Sequence, residues 1–179
     1  MVLVFLAEGF EECEALAPVD ILRRGGVTVQ TVGIDGKTVK GSHGIPVVCD
    51  LAEEEIPQAG VQAVVLPGGM PGTVNLENSG AVQAALDAAY RNGVLIGAIC
   101  AAPSILGHKG FLKDRRATCY PGFEKDLIGA RFEDSPVVTD GQIITAYGAG
   151  AAFDFGLALL AALRTPLEAE TLKKNMKIK

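Results

Sequence analysis

The sequence is poor in the groups that hold metals. It has two histidines, His43 and His108, and four cysteines, at 13, 49, 100 and 119. No two cysteines stand at C-x-x-C spacing and no Cys/His pair has finger spacing, which argues against a structural zinc site. No apolar run approaches the ~18 residues of a membrane-spanning helix. The opening MVLVFLAEGFEECE is apolar only briefly and then turns acidic. It lacks a basic leader and a small-residue cleavage site, so it reads as a first buried strand and not as a signal peptide. A cytoplasmic protein with reduced thiols is the expectation. Excess positive charge is also missing: the net charge of −5 leaves no electrostatic footprint for nucleic acid. The lysines of TLKKNMKIK read as a solvated helix end. A dinucleotide fingerprint is absent too. YGAGAAF, at 147 to 153, falls short of it and comes late in the chain, so no nicotinamide or flavin cofactor is expected.

What is present suits one α/β domain over residues 1–179, with 49% hydrophobic and 21% charged residues. Apolar runs of strand length at Val2–Ala7, Val61–Leu66 and Val94–Ile99 look buried on both faces. Val27 to Val32 alternates like a strand. Helical patterns cover Glu11–Arg24, closed by Gly25-Gly26, then Val74–Tyr90, Phe153–Leu163 and Leu167–Lys174. Lys37 to Asp50 reads as an antiparallel excursion turning at Ser42–Gly44. Asp140-Gly141 between apolar flanks predicts a hairpin. Strands alternating with helices imply a mostly parallel sheet with helices on both faces. Ligands bind such sheets beyond the carboxyl ends of the strands. Three loops should meet there: AEGFEE, PGGMPG at 67 to 72, and CAAP after Ile99.

Cys100 stands where a strand turns into a helix, among small residues that permit a tight elbow. Such a turn displays the side chain above the sheet, and the amides of the following helix start favour a thiolate. A buried core cysteine fits the elbow equally well. Glu14 lies four residues before Pro18, whose ring should bend or break the helix and aim the carboxyl at the sheet edge. On pattern alone Glu11, Glu12 and Glu14 are ordinary surface glutamates. The amides of Gly68 and Gly69 can approach an anion or oxyanion closely, because no Cβ blocks them.

Taken together, EGFEECEALAPVDILRRGG, PGGMPG, AICAAP and GAGAAFDFGLAL resemble the DJ-one/ThiJ/PfpI superfamily, most closely the branch of the parkinsonism-associated deglycase and bacterial ThiJ-like proteins. The resemblance covers nearly the whole chain. It implies a flavodoxin-like three-layer α/β sandwich, usually a homodimer. It makes Cys100 the reactive cysteine and Glu14 a protonated partner that donates a hydrogen bond to its sulfur. Gly69 and the Ala101 amide become oxyanion-binding backbone. Ala101 stands where protease-type members carry histidine, and Tyr120 where the deglycase branch carries one. Peptidase chemistry therefore lacks its imidazole, and an amidotransferase lacks its late His-x-Glu. Neither His43 nor His108 stands in a catalytic position.

Two functions follow from this reading. The first is a cofactor-independent glyoxalase or deglycase acting on small reactive aldehydes. The second is a non-catalytic redox sensor or chaperone of the stress response, whose Cys100 is oxidised by peroxide to sulfinate. Tyr120 and Cys119 are candidate pocket residues, although Cys49 and Cys119 read more simply as strand core. A binding role connected with thiamine has no support in the residues. For a dimer, the sequence hints are Ile21, Leu22, Arg23 and Arg24 beside the excursion that holds His43.

Overall fold

A computed structural model describes residues 1–178 of the chain. It begins with β1 (Val2–Leu6), α1 (Glu12–Arg24), β2 (Val29–Gly33), β3 (Thr38–Lys40), β4 (Pro46–Val48) and β5 (Leu51–Ala52). There follow β6 (Ala63–Leu66), α2 (Gly72–Asn78), α3 (Gly80–Arg91), β7 (Leu95–Ile99) and α4 (Pro103–His108). The last third holds β8 (Arg116–Ala117), β9 (Arg131–Phe132), β10 (Val137–Asp140), β11 (Ile143–Ala146), α5 (Ala152–Leu163) and α6 (Pro166–Asn175).

The main sheet runs β10-β11-β7-β6-β1-β2-β5 and is parallel except for β10, which pairs antiparallel with β11. Successive side chains of a strand point to opposite faces, and β1 shows both layers at once. Val2, Val4 and Leu6 pack into one core with Ile21, Leu22, Phe155 and Leu159 of α1 and α5. Leu3 and Phe5 pack into the other with Leu86, Ile105 and Leu106 of α3 and α4. Burying a side chain of this size contributes about 1.5–3 kcal/mol. Two buried faces explain why β1 and β6 are unbroken apolar runs. The expected flavodoxin-like three-layer sandwich is what the chain forms.

Several local expectations are corrected. The span 74–90 is two helices, because Ser79 adopts an extended conformation and its side chain accepts a hydrogen bond from the Val82 amide. That makes Ser79 the N-cap of α3. Helix α1 runs unbroken through Pro18. Ile21 and Leu22 are fully buried in the chain's own core and offer nothing to a partner. Arg23 and Arg24 pair instead with Asp50 and Asp20. The excursion forms as expected: β3 and β4 pair antiparallel around residues 41–45. The Asp140-Gly141 hairpin forms too, joining β10 to β11. Of the terminal lysines, Lys173 and Lys174 reach Asp154 and Glu170, and Lys179 lies outside the described residues. No helix among the described residues is long and apolar enough to cross a membrane.

Candidate active site around Cys100

The adjacent strands β7, β6 and β1 end side by side. Their following loops carry Cys100, then Pro67-Gly68-Gly69, then Ala7 to Glu11, so the three loops meet as expected. Cys100 has φ 65°, a left-handed conformation rare outside glycine. Such a conformation costs on the order of 1–3 kcal/mol and persists only where surroundings enforce it. Here the backbone is gripped from both sides. The Cys100 amide donates to the Ala146 carbonyl at 2.8 Å, and the Tyr120 amide donates to the Cys100 carbonyl at 2.8 Å. The result is an elbow that leaves the thiol half-buried.

Glu14 belongs to the first turn of α1 and is only 1% exposed. Its side chain is hydrogen-bonded to Cys100. The amide of Gly68 donates to Glu14 Oε2 at 2.9 Å. A Cβ at position 68 would lie 2.6 Å from the Cys100 Cβ and 2.7 Å from Glu14 Oε2, so only glycine lets the loop come this close. The Gly68 N–H is thus engaged by the carboxyl group and is not free to hold an oxyanion, which corrects that expectation. The amides of Gly69 and Ala101 favour the charged form of the Cys100 sulfur. Gly69 has φ +90°, a conformation that glycine adopts readily and other residues rarely do.

The electrostatics follow from this packing. Burial raises the Glu14 carboxyl to about 7, helped by the charge of Glu11 and opposed by hydrogen bonds from Cys100 and Gly68. Burial, followed by the charge of Glu14 and the hydrogen bond to it, pushes the Cys100 thiol up to about 12 against the two amides. Two groups in contact titrate as a pair. The pair gives up its first proton near neutral pH and its second only in strong alkali. Across the range between, one negative charge and one proton are shared. A thiolate then forms when the proton moves to Glu14, with no net loss of a proton from the site.

The remaining candidates separate by position. Tyr120 reaches the site through its backbone bond to Cys100; its side chain is 50% exposed and its ring lies against Gly148. Cys119 is buried among the side chains of the opposite core. Burial pushes its thiol up to about 12. Cys49 is buried as well, and Cys13 is exposed on α1. His108 closes α4 and contacts Glu77 and Asp126, away from the elbow.

The sequence reading passed over two residues. Glu11 caps α1, accepting the Glu14 amide at 2.7 Å. Glu12 is buried and holds the β3–β4 turn, accepting from the His43 amide at 2.8 Å and contacting His43 Nδ1 at 2.8 Å. Burial works against its charge, but the hydrogen bonds from His43 hold its carboxyl below the usual range. The available signal was the spacing of Glu11 and Glu14, which is that of an N-cap and its N3 residue.

Residues 1–162 match the model of the DJ-1/PfpI family. Among curated proteins, DJ-1alpha of Drosophila melanogaster is 38% identical over 178 residues, covering 97% of this chain and 82% of that one. The glutathione-independent glyoxalase DJR-1.2 of Caenorhabditis elegans is 32% identical over 171 residues, covering 94% of this chain and 91% of that one. Among solved structures, a DJ-1 superfamily protein from Salmonella typhimurium superposes with a TM-score of 0.94 at 38% identity, covering 99% of this chain and 98% of that one.

Proposed function

The chain belongs to the DJ-1/PfpI family, and on that premise we propose that it acts in carbonyl and oxidative stress as a cofactor-independent glyoxalase or deglycase, one family domain over 1–179. The observation that carries this reading is the contact between a buried carboxyl that titrates near 7 and a half-buried thiol on a strained elbow. The likeness to a named glyoxalase supports it.

The chemistry balances within the pair. Glu14 takes the thiol proton, and the Cys100 thiolate attacks the aldehyde carbon of methylglyoxal. Glu14 returns that proton to the new oxyanion, giving a neutral hemithioacetal. Its carboxylate then removes the proton from the former aldehyde carbon, giving an enediol, and delivers it to the adjacent carbonyl carbon while the hydroxyl proton passes from the first oxygen to the second. The product is a hydroxyacyl thioester on Cys100, which water hydrolyses to lactate and the free thiol. Gly69 and Ala101 steady the sulfur while it carries charge. Neither metal nor organic cofactor enters these steps. The test is lactate formation from methylglyoxal by wild type, Cys100→Ser and Glu14→Gln. The expected outcome is a loss of 100-fold or more in both variants, on the order of removing a central catalytic group. Equal rates in all three would sink the reading.

A second reading is favoured by the amides on sulfur. Two equivalents of peroxide would carry the thiolate through sulfenate to sulfinate, and the N–H groups of Gly69 and Ala101 would stabilise the added negative charge. Peptide mass analysis during a peroxide titration should show Cys100 gaining two oxygens before exposed Cys13. If Cys13 oxidises first, the sensor reading fails.

A further inference from the structure

Glu14 is the first-turn residue of a helix, where the N-terminal dipole ordinarily favours a carboxylate. It also accepts an amide hydrogen bond, which pushes the same way. Burial is the main force that nonetheless holds its proton to near neutrality, and the charge of Glu11 adds to it. Glu11, Gly68 and Glu14 form a closed ring of three hydrogen bonds. The Glu11 amide donates to the Gly68 carbonyl at 2.9 Å. The Gly68 amide donates to Glu14 Oε2 at 2.9 Å. The Glu14 amide donates to Glu11 Oε2 at 2.7 Å. Each residue gives one hydrogen bond and takes one. The space is closed as well, since a Cβ on Gly69 would stand 2.5 Å from the Glu11 nitrogen.

Resting on Cys100 and Glu14 being the working pair, we infer that Glu11 is a positioning residue for it, orienting the Glu14 carboxyl toward Cys100 and setting a second negative charge beside it. The ring ties the start of α1 to the loop after β6, and so fixes where the Glu14 carboxyl sits against Gly68 and Cys100. The Glu11 carboxylate occupies the helix N-terminus and takes up the dipole that would otherwise ionise Glu14. Its own side chain is only 16% exposed, so solvent screens it little. The groups facing this assembly are few. From the β3–β4 turn, His43 Nδ1 stands 3.9 Å from Glu11 Oε1 and 2.8 Å from Glu12 Oε2. From β7 there is Cys100, from the β6 loop only backbone, and on α1 itself Glu12 and Cys13.

Glu11→Gln separates the two contributions, because the amide oxygen still caps the helix while the charge is gone. Glu11→Ala removes both. The readout is the rate of Cys100 alkylation by iodoacetamide against pH, resolved from Cys13 by peptide mass analysis, with the melting temperature alongside. For Glu11→Gln the alkylation midpoint should fall by roughly 0.5 pH unit with the plateau rate and melting temperature of wild type. Glu11→Ala should show the same fall and, in addition, lose about ten-fold in methylglyoxal turnover as Glu14 loses its alignment. A wild-type midpoint in Glu11→Gln overturns the inference, as does a loss in both variants by one factor at every pH. If wild type alkylates normally but turns over no methylglyoxal, the glyoxalase reading fails while the alkylation midpoint still judges Glu11.

Discussion

At the scale of single residues, the site depends on one position having no side chain at all. Gly68 faces both the Cys100 Cβ and Glu14 Oε2, at distances a methyl group cannot share. Neither neighbour can yield cheaply, since one is held at the left-handed elbow and the other inside the hydrogen-bonded ring. Gly68→Ala should therefore cost about 1–3 kcal/mol of stability, the range for overpacking a filled core. It should also lower methylglyoxal turnover by well over ten-fold by pushing the carboxyl off the sulfur. Urea unfolding and the lactate assay check the two effects separately. An alanine variant with wild-type stability and turnover would show that the loop can move aside. Cys100 and Gly68 were visible in the sequence, because an elbow and a glycine pair leave local signals. The burial of Glu14 was not, since EECE reads as surface until the neighbouring loops are folded over it.

At the scale of elements, the sequence revealed most where hydrophobic period and turn chemistry agreed. Strands β1, β6 and β7 are short apolar runs closed by glycine or by the elbow, and the hairpin from β10 to β11 carries its turn dipeptide. It revealed less where a break costs little hydrophobic pattern. Between α2 and α3 the apolar positions Leu76, Val82 and Leu86 are all buried, so the pattern looks continuous across Ser79. Only the cap marks the boundary. Ser79→Ala should cost about 1 kcal/mol, measured as a fall in urea midpoint with unchanged slope. An unchanged midpoint would mean that packing alone sets the boundary. The short strands β5, β8 and β9 carry two residues each, too few for any period to register. Pro18 shows the opposite case. Its local rule predicts a bent or broken helix, but α1, packed against α5, is not broken.

At the scale of the whole molecule, Leu16 of α1 and Ile45 and Val48 of the β3–β4 excursion are exposed. The excursion is tied to the start of α1 through Glu12. These exposed apolar side chains suit the homodimer that the resemblance implies better than the buried Ile21 and Leu22 do, and sedimentation analysis decides it: a monomer at all concentrations would contradict it. The fold as a whole also answers to pH through Glu14. Its carboxyl is raised from 4.5 to about 7, so the native state binds more protons than the unfolded state between those values. Stability is full below the lower value and is lost as pH rises through the upper one, by on the order of 3 kcal/mol. Glu12 and Asp50 work in the opposite sense. Their carboxyls are held low, and the stability they give is lost as pH falls through the acid range.

The central claim is that Cys100 and Glu14 titrate as one pair near neutral pH. It is tested most directly by following the side-chain carboxyl carbon of Glu14 by NMR across a pH titration, with the resonance assigned by its loss in Glu14→Gln. The account predicts an inflection near 7. An inflection at the ordinary glutamate value of 4.5 would contradict it.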